Sequence, residues 1–385
     1  MTPGARIAAA IEILDSIVEG RAAEAVLTRW ARSSRFAGSG DRAAVRDYVY
    51  DALRHWRSDA VRGGGTSGRA RMIGRLRAEG TGIEALFSGV GHAPDPLSTE
   101  EMQVGQAPET TGDVWDLPDW LVDVFRSNLG DDAEATALEL TRRAPVTLRV
   151  NTARTDRETV QGQLRSEGVE TIINPRAATA LTVTEGPRRL RNASSYLTGL
   201  VEIQDASSQA AVLSISGTGR ALDYCAGGGG KALALAALGW DVTAHDIDEG
   251  RMRDVPVRAT RAGRDIAQCL PQDIGEAGFF DLVLCDAPCS GAGTWRRAPE
   301  AKWALTPERL DALTALQAQV LDAAAVHVGP KGQLVYATCS VLPRENMEQI
   351  DKFLARHPDW RLTQSKSWAV DSWGDGFFAA ALSRS

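Results

Sequence analysis

From Arg220 to the C-terminus, short apolar runs alternate with helical stretches, the pattern of a parallel sheet covered by helices. The strand candidates are Ala221–Cys225, Val242–Asp246, Asp281–Asp286 and Gln333–Thr338. Between the last two, Thr306 is a good helix N-cap with Pro307 at the first helical position. Leu310, Leu313, Leu316 and Val320 mark the face that this helix buries. Open sheets of this kind bind ligands at the carboxyl ends of their strands, so chemistry is sought there.

The 385 residues are enough for two or three domains. Residues 5 to about 57 place apolar side chains three and four apart, as in Ile7, Ile11, Leu14 and Val18, and are read as helical. The run Gly63 to Gly68 breaks this segment, and a further helix follows through Arg77. An acidic, Pro-containing stretch comes next, then helices around Trp120–Phe125 and Ala133–Arg142, then the β-rich Val146–Asn151. The expected organisation is a helical domain over 1–90, an acidic linker over 91–113, a small α+β module over 114–200 and the α/β domain over 201–385.

The net charge of −7 is unevenly spread: residues 1–80 carry roughly +5, residues 81–135 roughly −11 and residues 136–200 roughly +4. Two basic segments are therefore available to a polyanion, whatever the total. The acidic stretch is read first as a solvated surface, with docking on a basic neighbour as the alternative. No apolar run reaches the ~18–20 residues of a membrane span, and the opening MTPGARIAAAIEIL reads as an amphipathic helix rather than a signal peptide. A cytoplasmic location is expected. The five cysteines lie between Cys225 and Cys339 with no CxxC pair, so neither a disulfide scaffold nor a metal site is expected.

Asp223-Tyr224-Cys225-Ala226-Gly227-Gly228-Gly229-Gly230-Lys231 stands after a strand and before a helix, where glycines let a ligand approach the backbone and the helix offers unpaired N–H groups. A P-loop reading fails, because Cys225 stands five before Gly230 and Ala232 follows Lys231. A dinucleotide fingerprint can be forced as Gly227-x-Gly229-x-x-Ala232, with Asp246 for a ribose. The same geometry suits S-adenosylmethionine.

Two cysteines follow separate strands, in Asp286-Ala287-Pro288-Cys289-Ser290-Gly291-Ala292-Gly293 and in Tyr336-Ala337-Thr338-Cys339-Ser340. Carbon-5 of a pyrimidine is a poor nucleophile, so methyl transfer there needs a thiolate to add at carbon-6. A carboxyl group must hold the base near N3 and N4, and Asp286 is placed for that. A base must then remove the carbon-5 proton so that the adduct eliminates, a step a second thiol can serve.

Asp-Tyr-Cys-Ala-x-x-Gly-Gly-Lys, Asp-Ala-Pro-Cys-Ser-Gly-x-Gly and Tyr-Ala-Thr-Cys-Ser resemble the motifs of the Nop/Sun (RsmB-like) family of RNA cytosine-5 methyltransferases. The likeness takes in Gln204–Gln209, Arg296–Trp303, Val341–Asn346 and the closing Asp375-Gly376-Phe377-Phe378. Leu148-Arg149-Val150-Asn151 resembles the family's small RNA-binding module, and the leading helices resemble a short form of its NusB-like domain. The resemblance implies an α/β fold: a Rossmann-like class I methyltransferase domain preceded by a small α+β RNA-binding module and an all-α NusB-like domain.

It further implies that Cys339 is the nucleophile and that Cys289 helps release product, with Asp286 and Lys231 completing the catalytic group. Cofactor contacts are implied for Cys225, Ala226, Gly227, Gly228, Gly229, Gly230 and Lys231, for Asp246 on the ribose, for Asp273 near the adenine and for Asp286 at the methyl end. Gly228 stands where the family usually has Pro, which should leave the loop more mobile. The implied cofactor is S-adenosylmethionine and the implied partner RNA, ribosomal before transfer RNA, with a monomer expected. Arg149 and Asn151, in the basic small module, and Arg296, Arg297 and Lys302, whose charge interleaves with Trp295 and Trp303 as suits single-stranded RNA, are the expected RNA-binding residues. The rival readings are an RNA-binding assembly factor without turnover and a nicotinamide dehydrogenase, which leaves both cysteine motifs unexplained.

Overall fold

A computed structural model describes residues 1–103 and 105–385, and the chain divides into two compact units. The first comprises Met1–Arg143 together with Trp295–Ala304, and the second comprises Ala144–Thr294 and Leu305–Ser385. The first unit is helical, built on Pro3–Val18, Ala23–Ser33, Ser39–Arg54, Trp56–Gly63 and Gly68–Ala78. Its core gathers Ile7, Ile13, Leu14, Val45, Val49, Leu53, Met72 and Ile73, whereas Ile11 of the expected face is partly buried and Val18 is exposed. Gly64, in the left-handed conformation at φ 73°, ends one helix, and Ser67 caps the next through its side chain.

The acidic stretch docks rather than standing free. Glu101 pairs with the Arg69 guanidinium at 2.7 Å, and Asp113 with Arg57 at 2.7 Å. The expected linker therefore carries a short helix, Thr99–Gln103, and ties back onto basic helices of its own unit. Val104 of that stretch lies outside the described residues.

The segment Trp295–Ala304 is woven into the same helical unit. Arg54 Nε donates to the Arg296 carbonyl at 2.7 Å, the Trp303 indole donates to the Leu53 carbonyl at 2.8 Å, and Trp295 stacks on Phe125.

The second unit holds two sheets. The smaller has four antiparallel strands, β1 (Val146–Val150), β2 (Glu170–Ile173), β3 (Ala180–Glu185) and β4 (Val201–Ile203), in the order β2-β3-β1-β4. Because β4 pairs with β1, this sheet runs past the expected boundary at residue 200. The larger has seven strands: β5 (Arg220–Asp223), β6 (Asp241–His245), β7 (Ala267–Cys269), β8 (Phe280–Asp286), β9 (Val328–Thr338), β10 (Trp360–Trp368) and β11 (Phe377–Arg384). Their order is β10-β11-β9-β8-β5-β6-β7. Strands β5 to β9 run parallel, while β11 enters antiparallel to β9 and β10 pairs antiparallel with it. This is a Rossmann-like sheet with an antiparallel edge. Its four expected strands are present with ends shifted by a few residues, and Thr306 caps the helix Pro307–Ala325 through its side chain. Among the described residues no helix is long and apolar enough to cross a membrane.

Candidate active site

The site lies at the carboxyl ends of β5, β8 and β9, all within the second unit. After β5 the chain turns through Gly227 (φ 50°) and Gly229 (φ 78°), left-handed conformations that glycine adopts without steric cost. At Gly229 a Cβ would also stand 2.9 Å from Val255 Cγ2. The turn delivers the chain into the helix Gly230–Ala237, whose second residue is Lys231. Its carbonyls are held from outside: Arg258 donates to Gly228 O, and Arg149 and Gln204 donate to Gly230 O. Glu202 in turn pairs with Arg258 and Arg261.

Three acidic residues surround this turn. Asp246, just after β6, accepts from the Gly227 N–H at 2.9 Å and pairs with Arg251. Asp223 at the end of β5 is fully buried, and neither of its carboxylate oxygens has a hydrogen-bond partner. Burial, reinforced by the negative charge of Asp286, pushes its pKa up to about 7. Asp286 at the end of β8 meets Lys231 Nζ at 2.5 Å. Burial alone would lower the Lys231 pKa, but the Asp286 carboxylate outweighs it and holds the ammonium above its usual value.

The register of β8 and β9 sets Asp286 beside Ala337, so the chain segments beyond both strands emerge side by side. Ala287 N–H donates to Ala337 O and Gly293 N–H to Cys339 O, which sews the two segments together. The closing segment lies against them: a Cβ on Gly293 would stand 2.3 Å from Gly376 O, so only glycine fits there. Cys289 and Cys339 are consequently 3.4 Å apart, sulfur to sulfur. The hydrogen bond between Cys289 and Cys339 is the main influence lowering the Cys339 pKa, against burial and Asp286 and with help from Lys231. The same bond, with burial, holds Cys289 well above the usual thiol range. Of the two, Cys339 is thus the easier to ionise.

The expected residues therefore separate into groups. Lys231, Asp286, Cys289 and Cys339 converge at one place beside the turn Cys225–Gly230. Asp273 is exposed and follows β7 at the start of a short turn. Arg149 and Asn151 are buried; Arg149 supports the glycine turn, and Asn151 donates to Gly199 O and Ala262 O. Arg296 and Lys302 depart from the expectation, since they are 0% and 1% exposed and are engaged inside the helical unit. Of the three basic residues in that segment, Arg297 is the exposed one. Sequence reading gave no role to Arg258, which its place on the next helix does not reveal, nor to Glu345, whose run was noted only as part of a motif. Among the described residues no group of three side chains is arranged to hold a metal ion.

Residues 210–382 match the family model "16S rRNA methyltransferase RsmB/F", and residues 117–188 match its "ferredoxin-like domain". The chain is 37% identical to ribosomal RNA small subunit methyltransferase B of Xanthomonas campestris pv. campestris over 63% of its length and 58% of that protein. It is 34% identical to the protein of the same name from Cronobacter sakazakii, over 70% of this chain and 66% of that one. It thus spans about six-tenths of the length of such relatives. The crystal structure of PH0851 superposes with a TM-score of 0.78 at 23% identity, covering 100% of this chain and 99% of that one, which establishes the common fold.

Proposed function

Because the chain belongs to the RsmB/F family of methyltransferases, we propose that it is an S-adenosylmethionine-dependent RNA (cytosine-5) methyltransferase acting on small-subunit ribosomal RNA in the cytoplasm. The observation that carries this reading is the pair of thiols 3.4 Å apart beyond neighbouring parallel strands and beside the Lys231–Asp286 pair. Hydride transfer has no use for such a pair, whereas a cytosine needs one thiolate to activate carbon-5 and a further group to let the product go.

In this mechanism Cys339 adds as thiolate to carbon-6, and electron density moves onto carbon-5. The cytosine must first leave any stack it occupies. Asp286 accepts from the N4 amino group at the N3–N4 edge, with Lys231 compensating the carboxylate charge. S-adenosylmethionine, when bound, supplies the methyl group as an electrophile. The residues present fit such a cationic ligand: the turn is open to backbone approach, and Asp223 offers a buried carboxyl group with no hydrogen-bond partner. Asp246 is assigned to the ribose, Asp273 to the adenine side, and residues Cys225 to Lys231 to the amino-acid end. Once the Cys339 sulfur is bonded to carbon, the neighbouring negative charge is gone and Cys289 can lose its proton to solvent. As a thiolate it then takes the carbon-5 proton while the carbon–sulfur bond breaks and Cys339 departs as thiolate.

Bisulfite sequencing of ribosomal and transfer RNA from cells with and without the gene tests the reading, with purified protein and S-adenosylmethionine added back. Loss and restoration of one protected cytosine in small-subunit RNA is the expected result. An unchanged cytosine pattern in both pools would refute it in favour of a non-catalytic assembly role. Cys339→Ala should abolish methylation and Cys289→Ala should accumulate a covalent RNA–protein adduct. Normal turnover by Cys289→Ala would overturn the division of labour.

A further inference from the structure

Two cysteines this close could exchange roles unless something in the protein distinguishes them. Beneath both lies Glu345, in the turn after β9, with no exposed surface. Its Oε1 accepts from the Ser290 N–H at 2.7 Å and from Gln317 Nε2 at 3.0 Å. Its Oε2 accepts from Ser290 Oγ and from Ser340 Oγ, each at 2.5 Å. Ser290 follows Cys289 and Ser340 follows Cys339, so one carboxylate grips the residue next to each thiol. Its main chain belongs to the same cluster, since Tyr336 Oη donates to Glu345 O at 2.7 Å. Asn346 completes the hold on the β9 side: Thr338 Oγ1 donates to its Oδ1, and its Nδ2 donates to Ser340 O. A buried carboxylate with four donors on it is a rigid junction, because any movement of either loop strands a donor or leaves the charge uncompensated.

We propose that Glu345 is a positioning residue that clamps the Cys289 and Cys339 loops together and holds the two sulfurs in register, so fixing which one attacks the base. The inference rests on the assignment of Cys339 as nucleophile. The charges around the pair are arranged to that end. The bond between the two sulfurs is the first cause of both departures, raising Cys289 and lowering Cys339; Glu345 adds to the rise of Cys289, and Lys231 adds to the fall of Cys339 against burial and Asp286. Loosening the clamp disturbs the bond between the sulfurs and therefore relaxes the two thiols in opposite directions. A residue needed only for packing would not do that.

The test is iodoacetamide alkylation of each cysteine as a function of pH in the intact protein, read by mass spectrometry of the labelled peptides, for wild type, Glu345→Gln, Glu345→Ala, Ser290→Ala and Ser340→Ala. Binding of S-adenosylmethionine by calorimetry is measured alongside to identify variants that retain the fold. In wild type Cys339 should react at the lower pH. In Glu345→Gln its midpoint should rise by roughly one unit, about a tenfold loss of thiolate at fixed pH, while that of Cys289 falls and cofactor affinity holds. Methylation should then lose kcat with little change in cofactor KM, and Glu345→Ala should lose more. If the Glu345 variants fail to fold, Ser290→Ala and Ser340→Ala carry the test with smaller shifts in the same directions. Wild-type midpoints in cofactor-binding variants would overturn the clamp while leaving the nucleophile assignment intact. A wild-type Cys339 no more reactive than the buried Cys269 would overturn both.

Discussion

Replacing Lys231 by Met should destabilise the second unit by about 2–3 kcal/mol, and replacing Asp286 by Asn in the same chain should recover most of that loss. The two groups meet at 2.5 Å with 14% and 29% of their side chains exposed. At an effective dielectric of about 20, charges this close attract by roughly 7 kcal/mol, a gross figure from which the desolvation of both must be subtracted. Deleting one partner of a well-buried pair costs about 3–5 kcal/mol, because the survivor is left charged and unpaired. Partial exposure here brings the expectation to the lower end or below it. The survivor, Asp286, also faces the buried Asp223, whose ionisation it already opposes. Equilibrium urea unfolding of wild type, both single variants and the double variant at pH 7.5 measures the coupling, expected to be about 1.5 kcal/mol or more. Because the folded Lys231 pKa is raised, the pair's contribution is fully present at neutral pH and is lost only as pH rises beyond the ordinary lysine value. Single-variant effects that simply add in the double variant would refute the argument that these charges depend on one another. Methylation should be absent from Lys231→Met and from the double variant alike, separating stability from chemistry.

Three further outcomes follow from the same site. Asp223, with a folded pKa of about 7 against an ordinary 3.8, stabilises the fold fully below the lower value, and that contribution is lost as pH rises through the higher one. Asp223→Asn should abolish this decline in a series of unfolding curves from pH 4 to pH 8. Gly229→Ala places a Cβ at φ 78° and 2.9 Å from Val255 Cγ2, so thermal unfolding should report a loss of about 1–2 kcal/mol, and calorimetry at least a tenfold weaker cofactor. Arg258→Ala should weaken cofactor binding by freeing the Gly228 carbonyl, and adding Gly228→Pro should restore it by roughly two- to fivefold, since Arg258 occupies the space into which a side chain at 228 would project.

The parallel sheet and both thiol loops were legible in the sequence because each is specified locally. Alternating apolar runs end in Asp223, Asp286 and Thr338, and Thr306-Pro307 announces its helix without help from the rest of the chain. Tertiary partners were not legible. Arg296 and Lys302 have the composition of an RNA-binding stretch, yet their companions, Arg54 and Glu139, lie far back in the sequence and bury them. Arg149 is expected to bind RNA, yet its guanidinium supports a carbonyl 81 residues away. Gly228 suggested a loose loop, and Arg258 steadies it from a helix that no local rule connects to it. The linkage of Glu345 to Ser290 spans 55 residues, so even a recognised motif could not disclose what its acid holds.

The return of Trp295–Ala304 to the helical unit has a consequence for biosynthesis. Helices made first cannot seal their core against Trp295 and Trp303 until the roughly 150 residues after Arg143 have left the ribosome. At about 5–20 residues per second that interval is on the order of ten to thirty seconds. Throughout it the N-terminal unit is an unfinished surface awaiting ten residues from the middle of its successor.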